Sequence, residues 1–199
     1  AVRGKAKATT TTTTILQTRG GDFVALTATG AVQDTGIPRS PAGALFTTTR
    51  TDAHNIVVIV CRPNGCAFFA CADDATRCAA LPDTGFAHEM GTIVDIAAAE
   101  PTADGSVWVA GELCGLLLVS PNGDYKPVPV VGNVTAIATT SVEGPQGHVA
   151  VGTTMAVYYS LDNSMRFSRW IQANGASMDG HPTALTFLDN GELWIGGAW

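Results

Sequence analysis

One motif recurs along this chain at a near-constant spacing. Gly105–Ser120 reads GSVWVAGELCGLLLVS, Gly147–Ser160 reads GHVAVGTTMAVYYS and Gly191–Trp199 reads GELWIGGAW. In each copy a Gly and one variable residue precede a short apolar run that closes on small residues: Val107-Trp108-Val109, Val149-Ala150-Val151 and Leu193-Trp194-Ile195. The copies start 42 and 44 residues apart. A fixed period near 40 means that one supersecondary unit is repeated. Such a unit cannot bury its apolar face alone, so successive units must stack.

The content of the units is turn, strand, turn, strand. Between 93 and 132, short apolar runs at Ile93–Ala99, Val107–Ala110, Leu116–Ser120 and Tyr125–Val128 alternate with turn residues such as Ala103-Asp104-Gly105 and Pro121-Asn122-Gly123. Four short strands in about 40 residues is the size of one β-propeller blade. The unit at 133–175 repeats the arrangement, and the unit at 43–92 does so around Asn55–Cys61. That run, NIVVIVC, is continuously apolar, as a strand buried on both faces requires. The expectation is an all-β propeller with three full four-stranded blades and two half blades. Ile15–Thr18 and Phe23–Thr27 read as late strands of the first half. Thr183–Leu188 and Leu193–Ile195 read as the last half. Two closures follow. The halves join into a four-bladed ring, or the chain is part of a larger propeller whose partner includes its own missing C-terminal part.

Residues 1–21 read as a basic, Thr-rich lead-in, with Arg3, Lys5, Lys7 and Arg19 and no acid before Asp22; residues 22–199 are the propeller. The lead-in is a frayed end, a basic arm or the remains of a targeting segment. The chain is 46% hydrophobic and 14% charged, enough apolar content for a core and too little charge for a disordered chain. A net charge of −6 argues against nucleic acid and anionic membranes as partners. No apolar run is long enough for a spanning helix.

Ser160-Leu161-Asp162-Asn163-Ser164-Met165-Arg166-Phe167 resembles the Asp-box, the S-x-D-x-G-x-x-W/F turn of sialidases, sortilin-type receptors and photosystem-assembly propellers. Ser160, Asp162 and Phe167 match, and Ser164 stands where Gly is usual. Asn190–Gly196 and Asp104–Val109 resemble the D/N-G-x-L-W-I-G repeat of two-component-regulator sensor propellers. The resemblance implies a propeller fold and a structural turn at Ser160, Asp162 and Phe167. It implies no single activity, since such repeats serve enzymes, receptors and assembly factors alike.

Four of the five cysteines, Cys61, Cys66, Cys71 and Cys78, are spaced C-x4-C-x4-C-x6-C. This lacks the tight pair of a zinc site. Each pair flanks a turn, so two cross-strand disulfides are candidates and would imply an oxidising compartment. The competing reading is small buried thiols. Cys114 is left over. His54, His88, His148 and His181 show no metal-ligand spacing, though a propeller mouth could gather positions such as His148 and His181 from different blades. Trp108, Trp170 and Trp194 recur at blade positions and read as blade-core aromatics. The arginines are scattered rather than clustered as in a sialidase, and no G-x-S-x-G, phosphate loop or H-E-x-x-H is present.

The functional expectation is a non-enzymatic scaffold, secreted or lumenal, binding a protein or glycan on the ring face through loops 99–105, 140–147 and 172–182. No cofactor, metal or catalytic residue is expected. One alternative is a glycan-binding or glycan-hydrolysing propeller. The other is an assembly factor of a mitochondrion or plastid.

Overall fold

The computed structural model describes residues 14–27, 29–40, 44–50, 56–62, 65–72, 77–82, 92–98, 105–112, 115–122, 124–140, 147–161, 165–169, 181–188 and 190–198. They form five antiparallel sheets, and no helix occurs among them. The first sheet is β1 (Thr14–Gln17), β2 (Phe23–Leu26) and β3 (Val32–Asp34). The second is β4 (Leu45–Arg50), β5 (Ile56–Arg62), β6 (Gly65–Cys71) and β7 (Cys78–Ala80). The third is β8 (Ile93–Ala98), β9 (Val107–Gly111), β10 (Gly115–Val119) and β11 (Tyr125–Val128). The fourth is β12 (Val134–Thr140), β13 (His148–Thr153), β14 (Val157–Ser160) and β15 (Ser168–Arg169), and the fifth is β16 (His181–Phe187) with β17 (Leu193–Ala198). Every sheet is a meander in chain order, and the first strands β4, β8, β12 and β16 neighbour one another. Meanders stacked about an axis lined by their first strands are the blades of a β-propeller.

The stacking follows from strand alternation, since successive side chains point to opposite faces. In β5, Val57, Ile59 and Cys61 pack with Val107, Val109, Leu117 and Val119 of the third sheet. Their neighbours Ile56, Val58 and Val60 pack with Ile15, Phe23 and Ala25 of the first. In β9, Val107 and Val109 face back to the second sheet, while Trp108 and Ala110 face forward to Val134, Ile137, Val149 and Val151 of the fourth. A second strand that serves two cores must be apolar throughout. Each fully buried Val or Leu is worth roughly 1.5–3 kcal/mol over leaving it exposed.

The turns that lead into β2, β9, β13 and β17 share one device. Gly21, Gly105, Gly147 and Gly191 all take positive φ (90°, 74°, 46° and 83°), a region that side chains with a Cβ enter at a cost. At both ends of the chain the turn carries the same two hydrogen bonds. Gly21 N donates to Thr18 O and Thr18 N to Asp22 O, as Gly191 N donates to Leu188 O and Leu188 N to Glu192 O, all at 2.9 Å. The turn alone does not fix a strand's place in its blade, since Thr27 N to Ala31 O and Gly30 N to Thr27 O repeat it between β2 and β3. The contacts do. Ser40 bonds both Gly21 at the start of β2 and Arg62 at the end of β5, and Phe23 meets Phe46, the partner of Val60 near that same end. β2 thus runs antiparallel to β5 and parallel to β6, which makes β1 to β3 late strands of a blade, as the sequence predicts. β1 falls inside the segment read as lead-in. Among the described residues β1–β3 and β16–β17 form separate sheets, and the four-bladed closure is not formed.

The first sheet is strapped to the second by residues 35–40. Thr35 Oγ1 donates to Phe23 O at 2.8 Å, Cys78 N donates to Thr35 O at 3.0 Å, and Ser40 N donates to Gly21 O at 2.9 Å. The buried Ser40 hydroxyl accepts Arg62 Nε at 3.0 Å and Nη2 at 2.7 Å. Outside the strap, Arg39 Nε donates to Gly20 O and lies 3.7 Å from the Asp22 carboxylate.

Candidate crevice between the fourth and fifth sheets

The fourth and fifth sheets approach closely at one end and part at the other. At the close end a Cβ on Gly152 would lie 3.0 Å from Pro182 Cγ, and Thr135 Oγ1 donates to Pro182 O. At the far end the sheets leave a cavity of about 480 Å³. Its walls are the start of β13 (His148), the end of β14 with the next residue (Tyr159, Leu161), the end of β16 (Phe187) and the start of β17 (Leu193, Trp194) with Glu192 before it. Phe187 meets the His148 ring edge-on at 6.4 Å. Leu161 stands exposed at the rim. The surface is largely apolar with one carboxylate and one imidazole. It can take an apolar side chain and read a polar group beside it.

Val149 pairs with Ser160 and β12 pairs antiparallel with β13, so the end of β12, the start of β13 and the end of β14 meet at the crevice end. The loops 99–105, 140–147 and 172–182 lie almost wholly outside the described residues. His148 and His181 do not come together. Phe187 lies against His148, and His181 is six residues back along β16, roughly 20 Å at the strand rise.

Both disulfides are formed, Cys61–Cys66 and Cys71–Cys78, between directly paired residues with Cα atoms 3.9 and 4.0 Å apart. Cys61 sits in the core shared with the third sheet and Cys71 in the core shared with the first. Each closes a short loop, worth about 2 kcal/mol in the chain-entropy model. Replacing either pair by Ala should lower unfolding free energy by about that amount in urea titrations. Equal midpoints for parent and variants would contradict this.

Of the expected turn residues, Ser160 is buried at the end of β14, and Phe167 meets Trp108 edge-on at 5.6 Å. Asp162, Trp170 and Cys114 lie outside the described residues. Trp108 is fully buried. Trp194 is not a core residue: it is 62% exposed, because no sheet of the described residues lies over its face of β17. The turn read at Pro121-Asn122-Gly123 is held by hydrogen bonds that the sequence reading did not assign. In Ser120-Pro121-Asn122-Gly123-Asp124, Ser120 N donates to Asp124 O at 2.9 Å and Asn122 Nδ2 to Asp124 Oδ2 at 2.9 Å.

Among the described residues the inner strands carry one acid, the half-buried Asp95. β8, β12 and β16 each have a β-bulge at the same place, between Ile93 and Asp95, Val134 and Ala136, and Pro182 and Ala184. Where the other two have Ala, β8 has Asp95. Asp95 Oδ2 accepts Ile137 N of the next blade at 2.7 Å and Oδ1 accepts Ile96 N at 2.9 Å. Burial raises its pKa above the ordinary 3.8, against the lowering effect of those two bonds. The native state therefore holds this proton more tightly than the unfolded chain. The contribution of Asp95 to stability is fully present below pH 3.8 and is lost as pH rises through the raised native value. Comparing urea unfolding of the parent and Asp95→Asn across that window, parent stability should fall relative to the variant as pH rises. Parallel profiles would refute the assignment.

Among the described residues no group of three or more His, Cys, Asp or Glu is placed to hold a metal, and no helix is long and apolar enough to cross a membrane. No protein-family model matches the chain, and no curated protein matches it. Solved structures do. The extracellular domain of BT4673 from B. thetaiotaomicron, assigned to a one-component system, aligns with 93% of this chain and 25% of its own at 14% identity and a TM-score of 0.56. YCF48 from Cyanidioschyzon merolae aligns with 94% of this chain and 61% of its own at 15% identity and a TM-score of 0.55. The N-terminal domain of BBS1, solved in complex with ARL6, aligns over the same shares at 14% identity and a TM-score of 0.60. The chain thus spans between a quarter and three fifths of these structures, and what it shares with them is the β-propeller fold.

Proposed function

We propose that this protein is a non-enzymatic binding scaffold that recognises a protein partner through the crevice between the fourth and fifth sheets. The observation that carries the reading is the apolar cavity between the two sheets, lined by exposed Leu161 with Phe187 and Leu193. A pocket of that size accepts one or two apolar side chains, and Glu192 with His148 gives the partner a polar register. The two disulfides support maturation in an oxidising, secreted or lumenal compartment rather than an organelle matrix.

The test compares the immobilised chain with Leu161→Glu. Both are exposed to the secreted proteins of the source organism, to a glycan array and to a panel of fluorogenic glycosides. Specific retention of one protein by the parent, abolished by Leu161→Glu, is the expected result. Retention unaffected by the substitution, glycan binding that depends on it, or glycoside turnover would each overturn the proposal.

A further inference from the structure

The fifth sheet has two faces of different character. Leu193 and Ile195 point toward the fourth sheet and are half-buried, while Trp194 and Gly196 on the other face are exposed. Ala184 and Thr186 of β16 share that outer face, paired with Gly196 and Trp194, and are exposed too. Trp194 occupies the place in its unit that Trp108 occupies in the third, two residues after the positive-φ glycine and the variable residue that open the strand. Trp108 is fully buried because the next sheet lies over it, closed by Phe167 from the turn after that sheet's third strand. The edge of β17 differs in the same sense. β5, β9 and β13, the other second strands, each pair on both sides, whereas β17 pairs with β16 alone among the described strands.

We propose that this face seats a further β-propeller blade, contributed by polypeptide of the same protein outside residues 1–199. The internal junctions define what fits. The occupant is a four-stranded meander that lays an aromatic side chain edge-on against Trp194, as Phe167 lies on Trp108. A second copy of this chain fits less well. Seated head to tail, it would offer the open face of its first sheet, formed by Leu16, Val24, Leu26 and Val32, and no described residue of that face is aromatic. That face is itself open, with Leu16 44% and Val32 65% exposed, so the arc of five sheets has an apolar surface at each end. A ring of further blades covers both.

The test is hydroxyl-radical footprinting read by mass spectrometry, on the protein isolated from its natural source and on the 199-residue chain expressed alone. Trp108 is the internal standard and should be protected in both. Trp194 should be protected in the natural protein and oxidised several-fold faster in the isolated chain at every concentration. Equal reactivity of Trp194 in the two samples, or a natural protein no larger than 20.5 kDa, would overturn the proposal. Protection in the isolated chain that grows with its concentration would also overturn it and make a second copy the occupant. Trp194 also lines the crevice beside Leu193, so the two experiments are told apart by their readouts: Trp194 oxidation reports the blade, and the effect of Leu161→Glu on partner retention reports the crevice.

Discussion

Trp108→Ala in the 199-residue chain should cost about 4 kcal/mol of unfolding free energy, and Trp194→Ala less than about 0.5 kcal/mol. The two residues share a motif, a strand position and a preceding turn. They differ in what lies above them. Trp108 is enclosed by Val134, Ile137, Val149 and Val151, with the Phe167 ring edge-on. Truncating it empties a volume that the facing strands cannot collapse to fill, because β12 and β13 are each held in register on both sides or by the Asp95 bond. It also removes an aromatic pair worth roughly 0.5–1.5 kcal/mol beyond its area. Trp194, 62% exposed, has little buried area to lose. Urea unfolding followed by far-ultraviolet circular dichroism measures both. Similar losses for the two variants would mean that the motif itself, not the junction, carries the stability, and the stacking account would be wrong.

The same pair shows why some of this structure was legible and some was not. Whatever depends on neighbours in sequence could be read. The unbroken run Ile56–Cys61 told of a strand between two cores, and each cysteine pair flanking a short turn told of paired strands close enough to bridge. β3 was missed because Val32-Gln33-Asp34 is exposed throughout and carries no alternation.

Burial of an identical motif is set by whether another sheet follows, which no local pattern records. The crevice lies further still from sequence reasoning. His148, Tyr159, Phe187 and Glu192 come from four strand ends in two sheets, brought together by the close approach of Gly152 and Pro182 at the other end. Asp95 is a similar case. Alone it reads as a polar residue in a strand, and only the neighbouring blade's Ile137 N–H explains why a carboxylate is kept where the other units have Ala.

Gly21→Ala should destabilise the protein by about 3 kcal/mol or more, against about 1 kcal/mol for Gly30→Ala. Both glycines have positive φ, 90° and 80°, so both variants meet the cost of a left-handed Cβ. At Gly30 nothing lies within 4 Å of the added atom. At Gly21 it would sit 2.0 Å from Ser40 O, a backbone atom with no rotamer to escape into. The strap must move, and with it go the Ser40–Gly21 hydrogen bond, the Arg62 contacts to the Ser40 hydroxyl and the seat of buried Ile37. The damage should stay local, because the cores that join the second, third and fourth sheets share no residue with the strap. Hydrogen exchange then gives the decisive pattern. In Gly21→Ala, amides of β1, β2 and β3 should lose protection while those of β9 and β13 keep it; in Gly30→Ala both groups should stay near parental. If the two variants lose the same free energy, the first sheet is held by its own turn geometry and apolar contacts. The strap would then be an accessory rather than the clamp between the first two blades.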